Sequence, residues 1–270
     1  MRLPFSPWDL FLAPVAAVML VPLVWMVIVS LESAQQAHSF PPVLIPSALH
    51  FGNYSAAWNS VPFGDFFLNS AMYALATVAG NLLFCSLAAY AFARIRFFGS
   101  NVLFIVLLAT LMVPYQVLLI PTFLIVKKLG LVDSVGGLIV PNLCSAFGIF
   151  MLRQFFRTLP IELEEAARID GTSRLGILFK IVLPLSMPAL ATLGIIQFMW
   201  SWNDFLWPLI IIDSSTHAPL QLGLSTLQGA HSTEWNLLMA GTVMSQIPML
   251  VIFLLAQRWF IRSIAFTGIK

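Results

Sequence analysis

The apolar run LFLAPVAAVMLVPLVWMVIVSL, at residues 10–31, sets the fold class because it contains no charged side chain. About 20 such residues in a helix are enough to cross the roughly 30 Å hydrocarbon core of a membrane. Comparable stretches lie at about residues 67–93, 102–126, 136–156, 185–212 and 237–260. The sequence therefore predicts an all-α polytopic membrane protein with six transmembrane helices in one transmembrane domain, residues 1–270. The first run is too long for a signal peptide, so we interpret it as an uncleaved anchor.

The composition of the whole chain supports this class. Of its 270 residues, 60% are hydrophobic and 9% are charged, and the mean hydropathy is +0.93. Ordinary soluble domains have about 45–50% apolar and about 25% charged residues. So few charges exclude a soluble domain, a nucleic-acid binder and a disordered chain. Cys85 and Cys144 both lie in apolar runs, where they are expected to act as small hydrophobic residues and not as a disulfide or metal pair.

The distribution of basic residues predicts the orientation. With the N-terminus in the cytoplasm, 11 of the 13 Lys and Arg residues fall on the cytoplasmic side, and only Lys127 and Lys128 fall outside. The cytoplasmic ones are Arg2, Arg94, Arg96, Arg153, Arg157, Arg168, Arg174, Lys180, Arg258, Arg262 and Lys270. Since basic residues are enriched in cytoplasmic loops, both termini are predicted to face the cytoplasm.

Charged residues are concentrated between the fourth and fifth predicted spans. The chain has 24 charged residues (13 Lys and Arg, 11 Asp and Glu), and nine of them lie between positions 153 and 180. This density indicates a folded cytoplasmic segment and not a plain connecting loop. We place the segment at about residues 157–184.

Local signals divide this segment into two short helices. Glu162, Glu164 and Glu165 suit the first turns of a helix, where the dipole favours negative charge, and Glu164 can pair with Arg168 at the i,i+4 spacing. Gly171 suits a left-handed stop just past that helix. Thr172 or Ser173 can cap the second helix, and Pro184 is expected to end it.

Two interpretations of the first helix are open from these residues alone. It can be a surface helix that lies on the membrane, or a docking element for another protein. The small side chains of Ala166 and Ala167 would let another surface approach closely, and Glu165 would offer a charge to a basic partner.

The segment resembles the EAA loop of ATP-binding-cassette importer permeases. The shared pattern is Glu165-Ala166-Ala167, three residues, Gly171, nine residues and then Ile181-x-Leu183-Pro184. The run WSWNDFLWPL at residues 200–209 and the motif FGNY at residues 51–54 are similar to the carbohydrate, maltose-permease-like branch of the binding-protein-dependent transport system inner membrane component family. The resemblance covers about residues 8–262.

This resemblance implies both a role and a set of partners. The helix at residues 162–170 would be a coupling helix that docks on a separate ATPase, with contact residues Glu165, Ala166, Ala167, Arg168, Asp170 and Gly171. The implied partners are a second homologous six-helix permease, an ATP-binding-cassette ATPase dimer, an extracytoplasmic solute-binding protein and membrane lipid, without nucleic acid. The implied location is the bacterial inner membrane.

Several motifs that would indicate an enzyme are missing from the sequence. It has no G-x-x-x-x-G-K-[ST] run, no His and Cys cluster with metal-ligand spacing and no nucleophile elbow. We therefore expect a transport subunit that is not an enzyme and has neither cofactor nor metal. The predicted spans hold almost no ionisable residue except Asp204, which argues against a proton-driven carrier.

The fifth span offers candidates for a solute path. Trp200, Asn203 and Trp207 are spaced at i,i+3 and i,i+4 and would share one helical face, with Asp204 beside them. Sugars are bound through hydroxyl hydrogen bonds and ring stacking, which such a face can supply. Interhelical hydrogen bonding and interface anchoring are the alternative roles.

Two other functions fit the same sequence. One is an importer permease for glycerol phosphate or another non-sugar solute, although an anionic solute would favour Arg or Lys well inside the spans, and the sequence has them only at the predicted cytoplasmic ends, at Arg153 and Arg258. The other is a membrane scaffold subunit that does not transport.

Overall fold

The computed structural model describes residues 7–228 and 233–267, with side chains for residue 8 and for residues 10–228 and 233–255. Arg2, Lys270 and the side chains of Arg258 and Arg262, which enter the predicted orientation, lie outside that description. The described residues form helices joined by turns and by irregular loops, such as the one at residues 38–51. They divide into two compact units, one of Met1–Gly64 with Gly223–Pro248 and one of Asp65–Leu222 with Met249–Lys270.

The α-helices are α1 (Pro7–Ser30), α2 (Ala34–Ala37), α3 (Gly52–Ser60), α4 (Phe63–Arg94), α5 (Ser100–Thr110), α6 (Tyr115–Lys128), α7 (Val135–Ile139), α8 (Ala146–Thr158), α9 (Glu162–Ile169), α10 (Arg174–Ile177), α11 (Leu183–Leu185), α12 (Met187–Trp202), α13 (Leu206–Ile211), α14 (Leu220–Ser225) and α15 (Trp235–Thr267). Two 3₁₀ turns, Val140–Asn142 and Ser215–His217, follow α7 and α13, and a π-helical turn, Leu178–Val182, joins α10 to α11.

Three of the described helices are long and apolar enough to cross a membrane. They contain the stretches Leu10–Ser30, Phe63–Arg94 and Trp235–Leu255. Three bent pairs pass the same test when each is taken together, namely α5 with α6, the Val135–Asn142 segment with α8, and the Arg174–Leu185 segment with α12. The chain is therefore an all-helical membrane protein in which half of these candidate spans are interrupted.

Prolines and their neighbours explain where the interruptions fall. The predicted span 102–126 is two helices that meet at 104°, because Pro114 has no N–H to donate and disfavours helical backbone at Val113. The helix predicted to stop at Pro184 instead continues to Leu185, since the π-helical turn before it changes the hydrogen-bond register. The bend of 82° comes at Ser186, and Pro188 lies in the first turn of α12.

The first unit is held together by Asn53, from the FGNY motif. Its side-chain amide donates to the backbone carbonyls of Ser30 (2.9 Å) and Glu32 (2.8 Å) at the end of α1. Its Oδ1 accepts a hydrogen bond from Asn236 at the start of α15, at 3.2 Å. The side-chain amide of Asn53 thus joins three helical segments of this unit. Burial of Glu32, just after α1, raises the pKa of its carboxyl group above the usual range.

The core of the second unit is built by α4, α8, α12 and the α10 segment. Its buried side chains include Leu152 and Phe156 of α8, Ile177 and Leu178 around the π-helical turn, and Leu193 of α12. The segment at residues 177–189 therefore contributes buried side chains to this core, and α9 precedes it in the chain.

Candidate functional site

The face of α9 that points away from the core is fully exposed. Glu162, Glu165, Ala166 and Ile169 follow each other at helical spacing, and all four are exposed. Ile169 is 87% exposed, a large uncovered area for an isoleucine. Arg168 and Asp170 are exposed as well. The helix therefore presents charged, small and apolar groups that have no contact within the core.

The two alanines of this helix have different surroundings. Ala166 is exposed, whereas Ala167 is partly buried and packs against the core of the second unit. Ala166 is therefore the place where another surface could approach the helix backbone, while Ala167 lets α9 lie close to its own unit.

The end of α9 is formed by Gly171. Its φ is +80°, as the left-handed stop requires, and a Cβ at this position would meet nothing within 4 Å. The Thr172 N–H donates to the Ala167 carbonyl at 2.9 Å and the Gly171 N–H to the Arg168 carbonyl at 3.1 Å. Glycine is therefore favoured here by backbone conformation and not by space. Ser173 caps α10 by accepting from the Gly176 N–H at 3.1 Å.

Glu164 attaches α9 to the end of α4. Its side chain is 2% exposed, and its Oε1 lies 2.7 Å from Nε of Arg94, which is 11% exposed. The hydroxyl of Tyr90 donates to Glu164 Oε2 at 3.1 Å. Arg94 Nη2 also donates to the backbone carbonyls of Phe156 (2.7 Å) and Leu159 (2.6 Å). A buried ion pair with these extra hydrogen bonds joins α4, the end of α8 and α9.

This arrangement corrects the expected pairing of Glu164 with Arg168. Glu164 turns inward to Arg94, and Arg168 stays exposed. The i,i+4 rule describes isolated helices, and here a partner 70 positions earlier in the chain is available in a buried position. Arg94 and Tyr90 are thus structural contributors that sequence reasoning missed. The basic residue at the end of a long apolar helix was the one signal that could have suggested Arg94.

A second region of interest is a cavity of about 550 Å³ within the second unit. It is lined by parts of α4, α5, α6, α8 and α12 and by the turns beside them. The polar or aromatic lining residues are Tyr73, Thr110, Tyr115, Asn142, Cys144, Ser145, Phe147, Gln197, Trp200, Ser201 and Asp204. Such a volume and such a mixture of groups are typical of sites for small molecules.

Asp204 is held at the wall of this cavity by donors. The Tyr73 hydroxyl donates to its Oδ2 at 2.8 Å, and the Trp207 backbone N–H donates to its Oδ1 at 3.3 Å. The Asn142 amide in turn donates to the Tyr73 hydroxyl at 3.0 Å. Gln197 donates to Ser201 at 3.2 Å. The lining is thus a connected polar wall beside exposed aromatic rings.

The expected face of Trp200, Asn203 and Trp207 is not formed, because α12 ends at Trp202. Asn203 is the residue that ends the helix, and its amide donates back to the Met199 carbonyl at 2.9 Å. Trp207 lies in the first turn of α13, is 1% exposed and donates its indole N–H to the Gly137 carbonyl at 3.1 Å. Of the four predicted path residues, Trp200 and Asp204 line the cavity, and Asn203 and Trp207 do not.

A third polar cluster joins two loops at residues 129–134 and 212–219. Asp133 Oδ1 accepts hydrogen bonds from the backbone N–H groups of Asp213 (3.1 Å) and Ser214 (3.0 Å) and from the Ser214 hydroxyl (2.9 Å). The Ser214 N–H is the largest cause that holds the pKa of Asp133 below its usual range. Within the described residues, no group of three or more His, Cys, Asp or Glu side chains could hold a metal ion.

Comparison with known proteins gives a family match and close relatives. Residues 68–266 match the model of the family described as binding-protein-dependent transport system inner membrane component. The chain is 40% identical to the sn-glycerol-3-phosphate transport system permease protein UgpE of Pectobacterium atrosepticum, over 85% of each chain. It is 38% identical to the arabinooligosaccharides transport system permease protein AraQ of Halalkalibacterium halodurans, over 83% of this chain and 81% of the relative.

A solved structure shares the fold. A chain of a bacterial ABC transporter involved in the import of the acidic polysaccharide alginate superposes with a TM-score of 0.79 and 27% sequence identity. The superposition covers 95% of this chain and 99% of the other.

Proposed function

Because the chain belongs to the family of binding-protein-dependent transport system inner membrane components, we propose that it forms half of the solute path of an ATP-driven importer. It is a membrane-embedded transport subunit of the inner membrane and not an enzyme. Its partners are a second permease of the same kind, a pair of ATPase subunits and an extracytoplasmic solute-binding protein.

We assign the contact with the ATPase to α9 and the residues just after it. Glu165, Ala166, Arg168, Asp170 and Gly171 are exposed, and Ala167 lies under them against the core. This proposal depends on two observations taken together. The outer face of α9 is exposed, and the opposite side of the helix is attached to α4 by the buried carboxylate of Glu164. Since Glu164 is paired with Arg94, and Arg94 donates to the Phe156 carbonyl, we infer that a displacement of α9 is passed on to α4 and α8.

The proposed topology has six spans with both termini in the cytoplasm. Three long helices and three bent pairs supply six crossings if each pair crosses once. This orientation is supported by the distribution of Lys and Arg, because 11 of the 13 fall on the same side of the membrane as the N-terminus. It places α9, between the fourth and fifth crossings, on the side where ATP is available.

The proposed solute is a sugar or a sugar-like polyol, and the cavity is its path through this subunit. Trp200 is 53% exposed and offers a ring face, while Asn142, Gln197, Ser201 and Asp204 offer hydrogen-bonding groups. Stacking on rings combined with hydroxyl hydrogen bonds is the chemistry that binds carbohydrate. The printed name of the arabinooligosaccharide relative supports the same class.

Glycerol phosphate is the second candidate solute, because a relative 40% identical to this chain is named as a permease of the sn-glycerol-3-phosphate transport system. It would have to be bound by groups of the partner subunits, since the described residues that line the cavity include no Lys, Arg or His.

Reconstitution of the complete importer tests the function. The chain would be purified with its own permease, ATPase and binding-protein partners and placed in lipid nanodiscs. We expect ATP hydrolysis to rise by about fivefold or more when the binding protein is added with its solute, a coupling typical of linked sites. Arabinotriose and sn-glycerol 3-phosphate are the first two probes. A scaffold subunit would give an assembled complex whose rate of ATP hydrolysis does not change when the binding protein and its solute are added.

A further inference from the structure

We propose that Asp204 makes the cavity selective for uncharged polyhydroxylated solutes and unfavourable for anions such as phosphates and uronates. This inference rests on the proposed function, because it concerns the same solute path.

The first step of the argument is the hydrogen bonding of Asp204. The hydrogen bonds to its carboxylate come from the Tyr73 hydroxyl and from the backbone N–H groups of Trp207 and Leu206, and all of them are donated to it. An ionised carboxylate only accepts hydrogen bonds and has about four lone-pair sites, so these bonds leave it further acceptor capacity. Asp204 can therefore accept from neighbouring hydroxyls of a solute while it stays fixed to its own helices.

The second step concerns the charges around it. Asp204 is the one ionisable carboxylate among the described lining residues, and none of them is Lys, Arg or His. A single negative charge among neutral side chains, with no cation in the lining to neutralise it, gives the cavity a negative potential. An anion that entered would lose its hydration and find no cationic partner, whereas a neutral solute loses much less.

The third step concerns shape and stacking. Trp200 lies edge-on to Phe147, with ring centroids 5.6 Å apart, and both rings line the cavity. Tyr115 adds another half-exposed ring. Flat apolar faces next to a carboxylate match the alternating C–H and O–H surfaces of a sugar ring, whereas a phosphate would find only neutral donors in this lining and no cation.

Cys144 allows a test that needs no knowledge of the natural solute. It is exposed and lines the same cavity, whereas Cys85 is buried. In the assembled importer with Cys85→Ser, Cys144 would be reacted with a cationic and an anionic methanethiosulfonate reagent. We expect the cationic reagent to react faster, on the order of tenfold after correction for intrinsic reactivity, and the ratio to shrink at high salt.

Variants assign this preference to Asp204. Asp204→Asn should reduce the ratio to near one, Asp204→Glu should keep it, and Asp213→Asn, which changes an exposed carboxylate outside the cavity, should leave it unchanged.

The outcomes distinguish this inference from the proposed function. Equal rates for the two reagents in the parent protein, or a ratio that Asp204→Asn does not change, would overturn the selectivity while solute-stimulated ATP hydrolysis still stood. Absence of that stimulation would instead overturn the transport function. If Asp204→Asn does not fold, the salt dependence of the ratio between the two reagent rates in the parent protein still tests whether the cavity has a negative potential.

Discussion

Glu164→Ala is expected to lower the melting temperature of the protein by on the order of 10 °C. Removing one partner of a buried ion pair typically costs about 3–5 kcal/mol, because the other charge stays buried without compensation. For a chain of this size, 1 kcal/mol corresponds to roughly 2–4 °C. The Arg94 guanidinium would keep only the carbonyls of Phe156 and Leu159, which accept hydrogen bonds but carry no full charge. Thermal unfolding in detergent measures the effect.

The matched control is Glu162→Ala, which removes an exposed carboxylate two positions earlier on the same helix. Exposed substitutions of this kind usually change stability by about 0.5 kcal/mol or less. The double variant Arg94→Met with Glu164→Leu should recover part of the lost stability, since it leaves no unpaired buried charge. A melting temperature for Glu164→Ala equal to that of Glu162→Ala would show that the ion pair does not fix α9.

Glu165→Lys is expected to abolish solute-stimulated ATP hydrolysis while leaving the melting temperature nearly unchanged. The side chain is exposed and belongs to the outer face of α9, so its reversal affects what docks there and not the core. A basic partner group on the ATPase would then face a like charge, which costs several kcal/mol across an interface. Hydrolysis in the reconstituted importer, with and without the solute-loaded binding protein, measures the effect.

Two control variants distinguish a loss of docking on the ATPase from a non-specific effect of changing a surface charge. Glu165→Gln keeps the size of the side chain and should lose only part of the stimulation. Asp213→Lys makes the same charge change on an exposed residue of another loop and should keep it. If Glu165→Lys retained full stimulation, the outer face of α9 would have no part in coupling.

Local rules were sufficient to predict α9 and its end. Acidic residues in the first turns, Gly171 as the stop and Ser173 as the next cap are interactions within a few positions of each other, and the structure has the helix at Glu162–Ile169 with φ +80° at Gly171. Sequence reasoning works here because these energies depend on the backbone and on near neighbours.

Contacts between distant parts of the chain could not be predicted in this way. The i,i+4 spacing predicts that Glu164 pairs with Arg168, but Glu164 pairs with Arg94, whose position depends on how α4 packs against α8. Spacing also predicts Trp207 on one helical face with Trp200, but α12 ends at Trp202 and the indole of Trp207 reaches the Gly137 carbonyl. Pro114 lies at the break between α5 and α6, but Pro121 and Pro248 lie inside unbroken helices, and the angles of 104° and 82° depend on tertiary packing.

Crosslinking at position 166 tests the docking of α9 on the ATPase most directly. The test uses a chain in which Cys85→Ser and Cys144→Ser have removed the native cysteines. In this chain, Ala166→Cys would be combined with single cysteines on the ATPase surface. Ser60→Cys is the matched control, because Ser60 is also exposed and belongs to a segment predicted to lie outside the cytoplasm. We expect position 166 to crosslink to the ATPase and to be inaccessible to an impermeant thiol reagent added to intact cells. Labelling of Ala166→Cys from outside, as for Ser60→Cys, with no crosslink to the ATPase, would contradict the account.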